Sequence, residues 1–385
     1  MLKGNFPIDK FEGLRTPFYY YDMELLRATL AAIKDEMRSL PGSHMHYAVK
    51  ANFNPVILEE IAKSGFGADC VSGGEISAAI NAGFRPESIF FAGVGKSDEE
   101  INLALSYGIG RFNVESAAEL QVISDIARSR GQVAPVSLRV NPDIGAHTHA
   151  NITTGLAENK FGINLEQLED VMCMAMNLPA IKYCGLHFHI GSQILDMSDF
   201  QALCNRINSI QDEFDRRGCP LGDINVGGGL GINYEHPNHL PMADFASYFG
   251  VFRKHLIRRL GQQIHFELGR AVVAPCGSLI CRVMYVKEGT HKRFAIVDGS
   301  MTELIRPALY HAYHRIENLS SEGPEMKYDV VGPVCESSDV FAKGISLPES
   351  RRDDYIAIRS AGAYGESMAS GYNCHRLPGN FFDGR

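Results

Sequence analysis

Between residues 44 and 269 short apolar runs alternate with longer segments whose apolar positions recur every three to four residues. The runs HMHYAVK (44–50), GADCV (67–71), SIFFAG (88–93) and RFNVE (111–115) read as strands, as do APVSLRVN (134–141), IKYCGLHFHI (181–190), DINVGGG (223–229) and QIHFELG (263–269). The periodicity between them predicts helices at 55–64, 75–83, 97–107, 116–130, 165–177, 198–217 and 242–260, with a long loop before 164. A further helix at 23–40, stopped by Pro41-Gly42, precedes the first of these strands and can close a ring. Strands joined by helical crossovers run parallel. Eight of them in a span of this size predict an α/β fold built on a (β/α)8, TIM-like barrel. A doubly wound nucleotide-binding sheet is the competitor, but no G-x-G-x-x-G stands at the first strand-to-helix turn.

After about residue 270 the rhythm changes. VVAPCGSLICRVMYVKEG, RFAIVDGS, YDVVGPVC and DDYIAIRSAGAY are strand-like runs ended by Gly, Ser or Pro, with one helix-like stretch at 301–315. A second, mainly β domain of sandwich or barrel type is expected over 269–385. The aromatic strand PFYYYD (17–22) is assigned to it, so residues 1–30 belong with the β domain and 31–268 form the barrel.

Composition narrows the function. The 385 residues are 45% apolar and 21% charged, enough to bury a large core. The net charge of −8 is spread without blocks, which argues against nucleic acid or an anionic membrane as partner. No run of 18 apolar residues and no leader-like N-terminal apolar stretch occurs, so a cytoplasmic protein is expected. The nine cysteines include no C-x-x-C pair and read as reduced, mostly core-filling residues. No metal site is expected.

In such a barrel chemistry collects at the C-terminal ends of the strands. Lys50 closes the first strand and is a candidate amine nucleophile, activated by burial, or a plain surface lysine. His187 and His189 project to one side of the sixth, where His189, beside Gly191-Ser192, is the functional candidate. The seventh strand runs into Gly227-Gly228-Gly229-Leu230-Gly231, and the eighth into Glu267-Leu268-Gly269-Arg270. Glycines there let backbone N–H groups approach an anion, and these two loops are the usual phosphate site of barrels. Glu267 ends an apolar strand and needs a cationic or N–H partner. That partner is either a barrel arginine such as Arg139 or a protonated ring nitrogen. An amine, a phosphate cradle, a stacking ring and a carboxylate are the set that pyridoxal 5'-phosphate needs. A Schiff-base aldolase acting on a phosphosugar would use Lys50 and the glycine loops but leaves Glu267 and His189 without a task.

The motifs YAVKAN (47–52), GLHFHIGSQI (185–194), VGGGLGINY (226–234), ELGR (267–270), IRPALY (305–310), GPVCES (332–337) and AGAYG (361–365) occur in one order across about 15–375. In this the chain resembles the fold type III pyridoxal-phosphate decarboxylases, and within them the branch acting on diaminopimelate. The resemblance implies that Lys50 forms the Schiff base, that His189 stacks on the pyridine ring and that Glu267 pairs with its nitrogen. It assigns the phosphate region to Ser192, Gly228, Gly229, Gly269, Arg270 and Tyr364, with Asp69 as a support residue or a purely structural one. Arg270, Arg306, Tyr310 and Tyr364 would contact the small-molecule substrate. Cys335, as the acid, and Glu336, as the ammonium partner, would come from the second subunit of a homodimer with shared active sites. The loop AHTHANITTGLAENKFGI (146–163) would cover the site. The family's turn reads Glu-Pro-Gly-Arg where this chain has Leu268, so the fixed φ of proline is lost there. The implied reaction is decarboxylation of meso-2,6-diaminopimelate to L-lysine, the last step of lysine biosynthesis. Carboxynorspermidine, ornithine and lysine decarboxylases of the same fold are the alternatives.

Overall fold

The computed structural model describes residues 4–142, 144, 160–219 and 221–385. Of the expected covering loop, 146–163, only 160–163 falls among them. The chain divides into two compact units.

The first unit comprises Leu30–Gly231 and Asp244–Gly269. Its strands close into an eight-membered parallel ring. With the N-terminal strand Phe18–Asp22 counted as β1, these are β2 (Ser43–Ala48), β3 (Gly67–Cys70), β4 (Ile89–Phe91), β5 (Arg111–Val114), β6 (Ala134–Arg139), β7 (Ile181–His187), β8 (Asp223–Asn225) and β9 (Ile264–Leu268). β9 returns to β2 in register from Ser43–Ile264 to Tyr47–Leu268, which closes the ring. The crossover helices begin on polar caps. Asn54 accepts from Val56 N ahead of Pro55, Ser72 and Ser116 each cap a helix, and Ser97 with Glu100 forms a capping box.

Alternation along the strands sends one set of side chains outward against the helices. Met45, Tyr47, Phe112, Leu138, Leu186, Ile224 and Phe266 are all buried. The other set points into the lumen, and it is polar. Asn113 on β5 and Glu267 on β9 stand opposite each other in the ring, yet hydrogen-bond at 3.1 Å, so the bond runs through the lumen. Lower in the barrel Arg111 pairs with Asp223 at 3.0 Å, and His46 Nε2 meets His265 Nδ1 at 3.0 Å. Barrels usually fill this space with branched aliphatic side chains.

The second unit comprises Met1–Thr29, Ile232–Ala243 and Arg270–Arg385. The stretch 232–243 therefore groups with the β-rich chain, although it lies within the barrel's span of sequence. The long strand β10 (Gly277–Glu288) organises this unit. Its first half pairs antiparallel with β1, Phe18 opposite Ile280, and its second half with β11 (Arg293–Val297). β12 (Ile316–Asn318), β13 (Glu325–Val331), β14 (Val340–Pro348), β15 (Tyr355–Ile358) and β16 (Gly379–Asp383) complete the sheet, β16 pairing parallel with β1. Phe11, Phe18, Tyr20 and Ile280 form a core against one face.

The helix expected at 301–315 is one short turn, Arg306–Tyr310. Pro307 at its start lacks the N–H that an upstream turn would need, and His311, in the left-handed region at φ 52°, ends it. Only Cys70, Cys204, Cys276 and Cys281 are buried, so core filling accounts for four of the nine cysteines.

Candidate active site

The barrel's upper lumen is built around Glu267. Its side chain is 7% exposed and receives three hydrogen bonds from three other strands. Asn225 Nδ2 donates to Oε1 at 2.6 Å and Asn113 Nδ2 to the same oxygen at 3.1 Å, while His187 Nε2 stands 2.9 Å from Oε2. Burial pushes the carboxyl up, but the charge and hydrogen bond of His187, with Asn225, more than reverse this and hold it well below the usual carboxylate range. Arg139 is not its partner. That guanidinium donates to Glu115 Oε1 at 2.7 Å, and Glu115 also accepts from Gly162 N at 2.8 Å.

Lys50 lies one step beyond the strand expected to carry it. β2 ends at Ala48, and Lys50 occupies a single 3-10 turn, Val49–Ala51, braced by Tyr47 Oη donating to Asn52 O at 2.9 Å. The residue is exposed, so burial is not what would activate its amine. Asp69, near the end of β3, is buried, and its Oδ1 has no hydrogen-bond partner among the described residues. Burial drives its carboxyl well up, the charge of Glu267 adds to that, and Lys50 opposes it.

His189 follows β7 and is half-buried. Burial, Arg139 and Lys50 together hold its ring well below the ordinary histidine value, so it is neutral. Gly228 N approaches its Nδ1 at 3.4 Å. The loop through Gly191 and Ser192 is zipped to the glycine loop, Ile194 N donating to Gly229 O at 2.9 Å and Gly231 N to Ile194 O at 2.9 Å. A Cβ on Gly228 would run into the carbonyl oxygen of Glu267, so glycine here lets the ends of β8 and β9 meet. Gly269 packs on Ala48 and Ala51. Among the described residues the N–H groups of Gly229 and Gly269 donate to no protein acceptor. Leu268, in the family's proline position, is the buried last residue of β9.

The β unit carries the remaining candidates. Arg270 is buried, donates from Nη1 to Tyr234 Oη at 2.8 Å, and lies 5.0 Å over the ring of Tyr364, a residue held at φ 57°. Arg306 is buried at the start of its short helix, 5.5 Å over the ring of Tyr234, with Tyr310 half-buried at the helix end. Its Nε donates to His314 Nε2 at 3.2 Å. No carboxylate pairs with Arg306 among the described residues. Cys335 and Glu336 are exposed on the turn before β14. Asn373 Oδ1 accepts from Cys335 N at 3.1 Å, and Glu336 accepts from Tyr372 Oη at 2.5 Å and from Ser338 Oγ at 3.1 Å. These hydrogen bonds hold the Glu336 carboxyl below its usual range.

The barrel set matches the demands of pyridoxal phosphate: an amine, a carboxylate kept ionised, a neutral flat ring and uncommitted backbone donors. The orphaned Oδ1 of Asp69 beside this set is a further polar atom for a ligand to satisfy. Asn113, Asn225, Tyr234 and His314 were absent from the expected site. The two asparagines could have been found by the rule that singled out Lys50, since each is a polar residue near the end of an apolar strand.

The family model described as pyridoxal-dependent decarboxylase, pyridoxal binding domain, matches residues 26–274. The chain is 61% identical over 377 residues to a diaminopimelate decarboxylase of Bacteroides thetaiotaomicron, covering 98% of each sequence. The crystal structure of diaminopimelate decarboxylase from Helicobacter pylori complexed with L-lysine superposes with a TM-score of 0.91 at 40% identity, covering 97% of this chain and 93% of that one. The corresponding enzyme of M. jannaschii, in co-complex with L-lysine, gives 0.90 at 32% identity, covering 97% and 88%. With a buried, ionised Glu267, a neutral His189 and an amine at Lys50 on a closed eight-stranded ring, this chain belongs to the pyridoxal-dependent decarboxylases, in the diaminopimelate decarboxylase family.

Proposed function

We propose that this chain removes CO2 from meso-2,6-diaminopimelate and releases L-lysine. The observation that carries the substrate assignment is Arg306. A buried guanidinium whose Nε is held by a neutral histidine, with no carboxylate partner among the described residues, suits a substrate that brings its own distal carboxylate. Substrates ending in an amine alone would leave that charge buried without compensation.

Bound pyridoxal phosphate supplies the electron sink for the pair left behind by departing CO2. Lys50 would hold it through its amine, with Gly229, Gly269, Ser192 and Arg270 at the phosphate and the neutral ring of His189 as stacking partner. Glu267, ionised and fixed by three donors, is set to keep a proton on a ring nitrogen. Arg306, with Tyr310, binds the distal carboxylate. Cys335 delivers the proton to the substrate α-carbon, and Glu336, with a lowered carboxyl value, receives the distal ammonium. Their exposure on a braced surface turn favours action in trans, in a homodimer with shared sites. No helix among the described residues is long and apolar enough to cross a membrane, and a cytoplasmic location fits the reduced cysteines.

The test is CO2 release from diaminopimelate, ornithine, lysine and carboxynorspermidine, compared at equal enzyme. Diaminopimelate should be favoured; faster turnover of any of the other three would overturn the substrate assignment. For the dimer, inactive Lys50→Ala and Cys335→Ala chains should regain activity when mixed. No recovery despite subunit exchange would mean that each chain holds a complete site.

A further inference from the structure

His314 is fully enclosed in the β unit, 2% exposed, and its two ring nitrogens have different partners. Nδ1 stands 2.8 Å from the carbonyl oxygen of Arg359. A carbonyl oxygen can only accept, so Nδ1 carries the hydrogen. Burial, with the charge of Arg306 added, lowers the ring's proton affinity to about 3, so no second hydrogen is present near neutral pH. Nε2 is therefore a bare lone pair, and the Nε–H of Arg306 donates to it at 3.2 Å.

A guanidinium can meet a carboxylate through two edges: side-on through Nε and one η nitrogen, or end-on through both η nitrogens. His314 occupies Nε, which closes the side-on edge. Neither η nitrogen of Arg306 makes a hydrogen bond to protein among the described residues. Tyr234 limits the remaining freedom. Its ring lies under the Arg306 guanidinium at 5.5 Å and against the His314 ring at 5.1 Å, edge-on at 76°. Imidazole, phenol and guanidinium thus fix one another.

We propose that His314 is a positioning residue for substrate specificity, holding Arg306 by Nε so that only its end-on edge is offered to the distal carboxylate. This rests on the reading of Arg306 given above. A merely structural His314 would serve the core through its bond to Arg359, and the two roles use different nitrogens. His314→Asn keeps a donor at the Nδ1 position and loses the acceptor at Nε2, whereas His314→Gln places an oxygen acceptor near Nε2.

The readout is binding to the holoenzyme by titration calorimetry of L-lysine and of 1,5-diaminopentane, which differ by one carboxylate. The unaltered enzyme should prefer L-lysine. His314→Asn should shrink that preference roughly 10- to 100-fold, the range for a lost hydrogen bond to a charged group, and leave diaminopentane binding unchanged. His314→Gln should keep the preference within about threefold. A preference unchanged in His314→Asn, equal weakening of both ligands, or its loss in His314→Gln would each overturn the role. If the Asn variant does not fold, the Gln variant alone decides. Absence of any preference in the unaltered enzyme would instead remove the Arg306 reading, and this inference with it.

Discussion

Glu267 in the barrel and Arg306 in the β unit are both charged and both more than nine-tenths buried, at 7% and 6% exposed. Their surroundings differ in kind. Glu267 is met by Asn113, His187 and Asn225 from three strands, so its charge is satisfied within the protein. Among the described residues Arg306 has one neutral acceptor, His314, and the face of a phenol. A buried charge with full hydrogen bonding persists whatever else is bound, while one without a counterion is costly until an anion arrives. The first arrangement suits a permanent cofactor and the second a substrate that comes and goes.

Substitutions should separate the two. Lys50→Ala removes the amine proposed to hold the cofactor and should lower kcat by at least about 1,000-fold, with cofactor no longer retained through desalting. A retained cofactor and near-normal turnover would show that another amine does its work. Glu267→Gln removes the fixed negative charge and leaves the asparagine donors without an anion to stabilise. It should lower kcat roughly 100- to 1,000-fold even at saturating pyridoxal phosphate. A fall of less than about tenfold would mean that the ionised state of Glu267 matters little. Arg306→Ala should act on KM, raising it for diaminopimelate by roughly 100-fold while kcat stays within about threefold, the signature of lost uniform binding. A loss confined to kcat would place Arg306 on the wrong side of the comparison.

Much of the barrel was legible in the sequence because its strands are short apolar runs bounded by Gly, Ser and Asn, and because its helices start on caps. Less legible were β12, β14 and β16. β12 and β16 are short, and β14 interrupts its apolar positions with Lys343-Gly344, so none shows a clean two-residue period. At the site, Lys50, His189 and Glu267 stood out as single polar residues closing apolar strands. Asn113 and Asn225 also lie near the ends of apolar strands, but nothing local ties them to Glu267, since Asn113 and Glu267 are 154 residues apart and only ring closure brings them together. His314 and Tyr234 were hidden for another reason. Tyr234 lies in a segment that the barrel's span of sequence conceals, and a histidine inside YHAYHR carries no local sign of which nitrogen is occupied. The notion of Lys50 as a buried amine failed because the strand ends two residues earlier than its apolar run suggests.

The smallest expected effect is on stability, and it tests whether His314 is the uncharged half of its pair. Its ring value in the folded chain is about 3, against about 6.5 when exposed. A folded value below the unfolded one means that the unfolded chain binds the proton first. The contribution of His314 is therefore complete above pH 6.5 and is lost as pH falls towards 3. Glu267 is also depressed, but from an ordinary value of about 4.3, so its contribution starts to fade only below that. Between pH 6.5 and 5 buried histidines, including His265 with a value of about 4, lose stability as pH falls, while the raised carboxyl of Asp69 acts in the opposite sense and is common to both chains. Each such proton changes stability by about 1.4 kcal/mol per pH unit. Urea midpoints taken at pH 7.5 and pH 5 should converge for His314→Gln relative to the unaltered chain, by about 1–2 kcal/mol once scaled by the urea dependence. Parallel slopes would mean that His314 binds its proton equally well folded and unfolded, in which case Nε2 would be protonated in the folded chain at pH 5 and could not accept from Arg306 there.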